Sequence, residues 1–287
     1  MLIPETWLKR VLRTGKLRLT ARRWKISRRN EVQKTPLTDG IAFEPEVKFI
    51  RELVPRNRPF FDVGANNGIY SLMVEDLVGR GNLFLFEPLP ELVELLKARF
   101  GRRAVFSFAL SDRESQEEIR IPVIGGLRYD TRASLEPSVM ESGQTAVQVT
   151  EVSLQTLDGF VRAAGIQDVG FIKIDVEGHE MSVLKGAQHT LAKMQPLLLI
   201  EIEQRHHKQP IDSIFRQVCD LGYQGFFFDP AAGGLRNIRE FNTSQMQAVE
   251  DLNSGRVLRY INNFIFVPEH HSEKLCRQVS AWTSRLF

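Results

Sequence analysis

Apolar residues recur along this chain in two rhythms, short unbroken runs and stripes at helical spacing, and the two alternate. Val47, Ile50, Leu53 and Val54 predict a helix over 45–54, and Phe60 to Val63 a first strand. The pattern continues with a helix over 69–77, a strand over 83–86, a helix over 91–100 with Leu92, Leu95, Leu96 and Phe100 on one face, and a third strand over 105–110. Residues 117–152 then alternate apolar and polar positions in short pieces such as Ile119-Arg120-Ile121 and Val147-Gln148-Val149. Broken at Gly125-Gly126 and Pro137, they predict a β-rich insertion over the ligand edge of the sheet. Helical spacing resumes over 154–164, and Phe171-Ile172-Lys173-Ile174-Asp175 reads as a fourth strand. A helix with Met181, Leu184, Ala187, Leu191 and Met194 on one face, a strand over 197–202 and a helix over 211–221 come next. Two last extended segments, 223–228 and 261–267, are joined by the polar stretch 229–260 without a crossover pattern, which predicts an antiparallel pair closing an otherwise parallel α/β sheet.

Composition agrees with a globular enzyme: 287 residues, 43% apolar and 25% charged, are enough for one large core. No apolar run approaches the roughly 18 residues of a membrane-spanning helix. Cys219 and Cys276 stand far apart, without metal spacing, and are expected as free thiols in a reducing, cytoplasmic setting. The net charge of +3 is unevenly spread, because residues 1–30 hold ten Lys/Arg against Glu5 alone, leaving the remainder at −6. With Trp7, Leu8, Val11 and Leu12 on one helical face, this arm suits peripheral binding to an anionic membrane surface, or else is a solvated or subunit-contacting extension; nucleic acid is not expected as a partner. The arm lacks the apolar stretch of a secretory signal, although its Arg-rich, acid-poor composition could mimic an organellar transit peptide. Three parts are expected: a basic extension over 1–42, a catalytic domain over 43–268 and a tail over 269–287.

The chemistry starts at Phe61-Asp62-Val63-Gly64-Ala65-Asn66-Asn67-Gly68, where an apolar strand runs into a turn with glycines four apart, and Glu87 closes the next strand. A carboxylate about twenty residues after such a turn is placed to accept hydrogen bonds from ribose hydroxyls, so Glu87 is the expected ribose ligand. A dinucleotide pyrophosphate asks for G-x-G-x-x-G, but its second glycine is Asn66 here, and Asp62 would repel phosphate. A nucleoside carrying ammonium and sulfonium groups suits the acid better, and S-adenosylmethionine is that nucleoside. Asp175, Glu177, His179 and Glu180 crowd the end of the fourth strand, where a hydroxyl acceptor needs a base, and Asp175 and His179 are the candidates. Asp175, Glu177 and Glu201 could offer oxygens to magnesium, but no metal site is expected from carboxylates alone. His206-His207, adjacent in a polar segment, read as surface residues. Lys173, inside an apolar strand, needs a carboxylate, and Asp62 and Glu201 are in reach.

Asp62 to Gly68, Phe86-Glu87-Pro88, Ala109-Leu110-Ser111-Asp112, Thr156-Leu157-Asp158, Ile172 to Glu180 and Asn263-Phe264-Ile265-Phe266-Val267-Pro268 occur in an order that resembles the FkbM-type S-adenosylmethionine-dependent methyltransferase family. The resemblance covers roughly residues 43–268 and is most specific at Asp175-Val176-Glu177-Gly178-His179-Glu180. It implies a class I methyltransferase fold, a Rossmann-like, mostly parallel sheet of seven strands whose last strand is antiparallel. It also implies O-methylation of a hydroxyl on a sugar, glycan or natural product. By the same resemblance Asp62, Gly64, Asn66 and Gly68 hold the methionine portion of the cofactor, and Ser111 or Asp112 faces its adenine. Two other readings stand beside it, a Rossmann-type NAD-dependent oxidoreductase and a non-catalytic nucleoside-binding protein recruited to membranes.

Overall fold

The computed structural model describes residues 50–230, 232–248 and 260–271, all within the compact unit Ala42–Phe287. The basic arm, the first half of the helix expected over 45–54, and Cys276 lie outside the described residues.

The centre of the molecule is an eight-stranded sheet. Strands β1 (Phe60–Val63), β2 (Leu83–Phe86) and β3 (Val105–Phe106) are followed outside this sheet by β4 (Ala109–Leu110), β5 (Ser115–Ile124), β6 (Leu127–Arg128) and β7 (Gln144–Gln155). The chain then returns to it through β8 (Phe171–Ile174), β9 (Leu197–Glu201), β10 (Tyr223–Asp229), β11 (Gly234–Asn237) and β12 (Asn263–Pro268). The spatial order is β11-β10-β12-β9-β8-β1-β2-β3. From β3 to β9 all neighbours are parallel, and β12 inserts antiparallel between β9 and β10. This is the class I methyltransferase sheet with its antiparallel last strand, widened to eight by β11, which pairs antiparallel on the outer edge. Every residue of β1 and β8 is buried, as befits central parallel strands covered on both faces.

Helices α1 (Ile69–Val78), α2 (Pro90–Phe100), α3 (Leu157–Ala163), α4 (Glu180–Lys185), α5 (Gln188–Met194), α6 (Asp212–Cys219) and α7 (Thr243–Met246) complete the fold. In α2 the buried stripe is Val93, Leu96 and Phe100. Leu92 packs instead against the second sheet, and Leu95 faces solvent at 39% exposure. On the α3 side of the large sheet Phe61, Phe84, Phe86, Phe106 and Phe108 each pack against Phe160, so one aromatic cluster ties β1, β2 and β3 together.

Three boundaries differ from the sequence pattern. The strand expected over 105–110 is two strands: Leu85 pairs with Val105, but Ala109 and Leu110 join Leu154 and Gln155 in the second sheet, β4-β7-β5-β6. The apolar run is continuous because Phe108, between the two, turns into the aromatic cluster. The helix expected from Leu154 starts at Leu157, since Leu154 and Gln155 are committed to strand pairing and the Thr156 side chain caps the helix by accepting from the Gly159 N–H. The helical stripe over 181–194 is two helices, broken where Gly186 presses on the carbonyl of Ser111; a Cβ there would lie 1.9 Å from that oxygen. The β-rich insertion is a long antiparallel hairpin of β5 and β7, with a register shift between Val123 and Ile124.

Candidate active site

Parallel register brings the expected ligands to one rim. Val63 is level with both Phe86 and Ile174, and Ile174 with Ile200, so Gly64, Glu87, Asp175 and Glu201 leave their strands at the same height. Ligands of open α/β sheets gather at this carboxyl end.

Gly64, Asn66 and Gly68 all adopt left-handed φ, at 74°, 47° and 75°, which glycine accepts freely and asparagine better than most residues. The space over the glycines is used by the protein itself. A Cβ on Gly64 would sit 1.8 Å from the carbonyl oxygen of Asp175, and one on Gly68 would sit 2.5 Å from the Phe100 ring. The turn is thus docked onto β8 and α2, and it is this close approach that sets its shape. Asp62 is buried and supports it from beneath, its Oδ2 accepting from both the N–H and the hydroxyl of Ser71 at 3.2 and 2.5 Å. Burial pushes the Asp62 carboxyl up to about 6, against the opposing hydrogen bond from Ser71 and the charge of Lys173.

Glu87 clasps the turn from the other side. Its Oε2 accepts from the Asn66 N–H at 2.8 Å and its Oε1 from the Leu89 N–H at 3.0 Å. Burial raises this carboxyl to about 7, partly offset by those two N–H groups. Each oxygen keeps a lone pair, so Glu87 can still accept from a ribose diol. The turn carries no basic residue of its own, and Arg99, which reaches it, donates to the Asn67 carbonyl at 2.6 Å; the acids Asp62 and Glu87 around it suit a cationic, phosphate-free cofactor better than a pyrophosphate.

Beyond the turn, the second group of candidates forms a chain of contacts. Ser111, buried after β4, places its hydroxyl 2.9 Å from His179 Nε2, and His179 Nδ1 lies 2.7 Å from Glu136 Oε1. With Nδ1–H donating to Glu136, Nε2 accepts from Ser111. Both ring nitrogens of His179 are therefore engaged. Asp112 is exposed and pairs with Arg113. Asp175 is the accessible carboxylate of the rim, its side chain 32% exposed, with Lys173 Nζ at 3.3 Å. Lys173, fully buried, also reaches Glu201 at 3.8 Å and lies over the Tyr70 ring. Of the two partners the sequence pointed to, Glu201 is in ion-pair reach and Asp62 feels the lysine's charge, while Asp175 is a partner it did not point to.

His206 and His207 are not surface residues. His206 is 8% exposed and His207 Nε2 contacts Glu180 Oε2 at 2.9 Å. They turn inward because the segment after β9 folds over Glu177-Gly178, where Gly178, with φ 98°, has His206 directly against it. Glu177 has φ 50°, a costly conformation of about 1–3 kcal/mol for a non-glycine residue. Burial, then the charge of Asp175, raises the carboxyls of Glu177 and Glu201 well above the usual carboxylate range. Ser134, Glu136 and Glu141 were not visible as site residues, because the insertion loop that carries them has no motif of its own. Ser134 donates to the Glu177 carbonyl at 2.5 Å, and Glu141 accepts from Arg205 at 2.6 Å.

Fold and rim are those of the class I S-adenosylmethionine-dependent methyltransferase fold. Residues 62–225 match the family model of the methyltransferase FkbM domain, and the chain belongs to that family. It is 27% identical over 161 residues to the hexuronic acid methyltransferase AglP of Haloferax volcanii, covering 54% of this chain and 60% of that protein. It is 29% identical over 142 residues to the 2-O-methyltransferase NoeI of Sinorhizobium fredii, covering 46% and 58%. The chain thus spans less than two thirds of the length of these relatives. A crystal structure of methyltransferase FkbM from Methylobacillus flagellatus is similar at a TM-score of 0.44 and 15% identity, covering 73% of this chain and 43% of that one. Membership of the family sets aside the oxidoreductase reading.

Proposed function

We propose that this methyltransferase acts on a hydroxyl oxygen of a carbohydrate or a related polyhydroxylated acceptor, with Asp175 as the proton acceptor. The observation that carries this reading is the placing of Asp175: an accessible carboxylate at the rim, level with the Gly64 turn, its charge held by buried Lys173. The names of AglP and NoeI, a hexuronic acid and a 2-O-methyltransferase, support an oxygen on a sugar. When bound, S-adenosylmethionine supplies an electrophilic methyl group. Glu87 would hold its ribose, the turn from Asp62 to Gly68 its methionine portion, and Ser111 with Asp112 its adenine side. Asp175 then takes the proton that the acceptor hydroxyl loses, and Lys173 stabilises that carboxylate between turnovers. His179, bonded at both nitrogens, serves as a positioning residue between the cofactor side and the insertion. Residues 1–30, with ten basic side chains against one acid, would bring the enzyme to an anionic membrane surface.

The test is incubation of the full chain with methyl-labelled cofactor and a panel of hexuronic acids and oligosaccharides, read by mass spectrometry. Asp175→Asn should lower turnover by about 10²–10⁴-fold with cofactor affinity little changed. A near-normal rate in that variant assigns the base elsewhere.

A further inference from the structure

We propose that Glu177, Glu203 and His206 form a binding site for a divalent transition-metal cation. One carboxylate oxygen from each glutamate and one imidazole nitrogen lie within 4.8 Å of one another. His206 is buried, yet its Nε2 makes no hydrogen bond. It sits instead 3.4 Å from Glu177 Oε2 and 3.7 Å from Glu141 Oε1. Buried polar groups almost always find partners, so an imidazole nitrogen aimed at carboxylates it does not bond asks for a third body. Ligand atoms about 2.1 Å from a common ion stand roughly 3 Å apart, close to the separation of His206 Nε2 and Glu177 Oε2.

Charge points the same way. The ion pairs joined to His206 hold the carboxylates Glu177, Glu203 and Glu141 against the guanidiniums of Arg205 and Arg132, so acids outnumber bases around the imidazole. A bound cation would offset that excess. Glu203 is held by Arg205 Nε at 2.5 Å and by the Tyr260 hydroxyl at 2.6 Å, the kind of support that orients a ligating carboxylate. Gly178, with φ 98° and so little room that a Cβ there would lie 3.1 Å from the His206 Cβ, shapes the turn that carries Glu177. Two carboxylates with one imidazole suit manganese or zinc better than magnesium, which prefers an all-oxygen shell.

The site does not rest on the methyl-transfer reading, and its test reads metal binding alone. The full-length chain, stripped with chelator, is titrated with Mn²⁺ by electron paramagnetic resonance and with Zn²⁺ by calorimetry, beside the near-isosteric variants Glu177→Gln and His206→Gln. The wild type should take up about one ion per chain, and each variant should bind at least about tenfold more weakly. Absence of uptake of either ion by the folded wild type overturns the proposal. Unchanged affinity in Glu177→Gln and His206→Gln, with both folded by circular dichroism, overturns it as well; if either fails to fold, the wild-type stoichiometry decides.

Discussion

If Glu87 holds the ribose as proposed, it links a proton to the cofactor. Its carboxyl is raised to about 7 by burial, so protonation there stabilises the ligand-free fold; that contribution is complete below the unfolded value of 4.5 and is lost as pH climbs through about 7. Ribose hydroxyls donate to the charged form, so binding draws the proton off. Affinity for S-adenosylmethionine should therefore rise between about pH 6 and 8, measured by calorimetry across that range. Glu87→Ala should bind at least about tenfold less tightly at the upper end, matching the loss of roughly 1.5–3 kcal/mol for a charge-assisted contact. A flat pH profile together with wild-type affinity in the variant would remove Glu87 from the ribose site. His179→Ala poses a different question at the same scale. Because both its nitrogens are bonded within the protein, its loss should raise KM for the acceptor while leaving the pH dependence of kcat in place, whereas a true base would take that dependence with it.

At the scale of elements, two glycines share a backbone collision and differ in φ. Gly64 combines φ 74° with a Cβ position 1.8 Å from the Asp175 carbonyl, and Gly64→Ala should cost well over about 1 kcal/mol in urea denaturation. Gly186 has an ordinary φ of −76°, so Gly186→Ala carries only the collision with Ser111. It should shift Ser111 away from His179, seen as a changed imidazole chemical shift, at a smaller loss of stability. The first of these glycines was legible in the sequence and the second was not. A strand followed by Asp-Val-Gly is a local signal, while Gly186 answers a backbone 75 residues earlier. The same distinction covers the rest of the fold. Elements with an unbroken pattern and a local stop, such as β1, β2, β8 and β12, stood out. Val105 to Leu110 looked like one strand because Phe108 is apolar for the sake of an aromatic cluster rather than a sheet. In the site, Gly64, Glu87 and Asp175 were readable from strand ends. Glu136 and Glu141 were not, since only the folded hairpin carries them to His179 and Arg205.

Taken whole, the chain carries a net +3, split between a strongly basic stretch, +9 over residues 1–30, and a mildly acidic remainder at −6. No helix among the described residues is long and apolar enough to cross a membrane. Near an anionic bilayer each Lys or Arg contributes about 1 kcal/mol, so a few of them suffice for measurable attachment. The full chain should co-sediment with anionic vesicles at low salt and release at high salt, and a chain beginning at Glu31 should not; equal pelleting of the two assigns the arm another role. The hairpin of β5 and β7 carries a consequence for anyone who would exchange parts between members of this family. Its connecting loop supplies Ser134 to the Glu177 carbonyl, Glu136 to His179 and Glu141 to Arg205. A graft cut at Ser115 and Gln155 would look modular on a strand diagram, yet it would exchange three fastenings of the rim along with the hairpin. A transplanted loop must bring equivalents of all three, or the recipient inherits a new acceptor surface on a loosened centre.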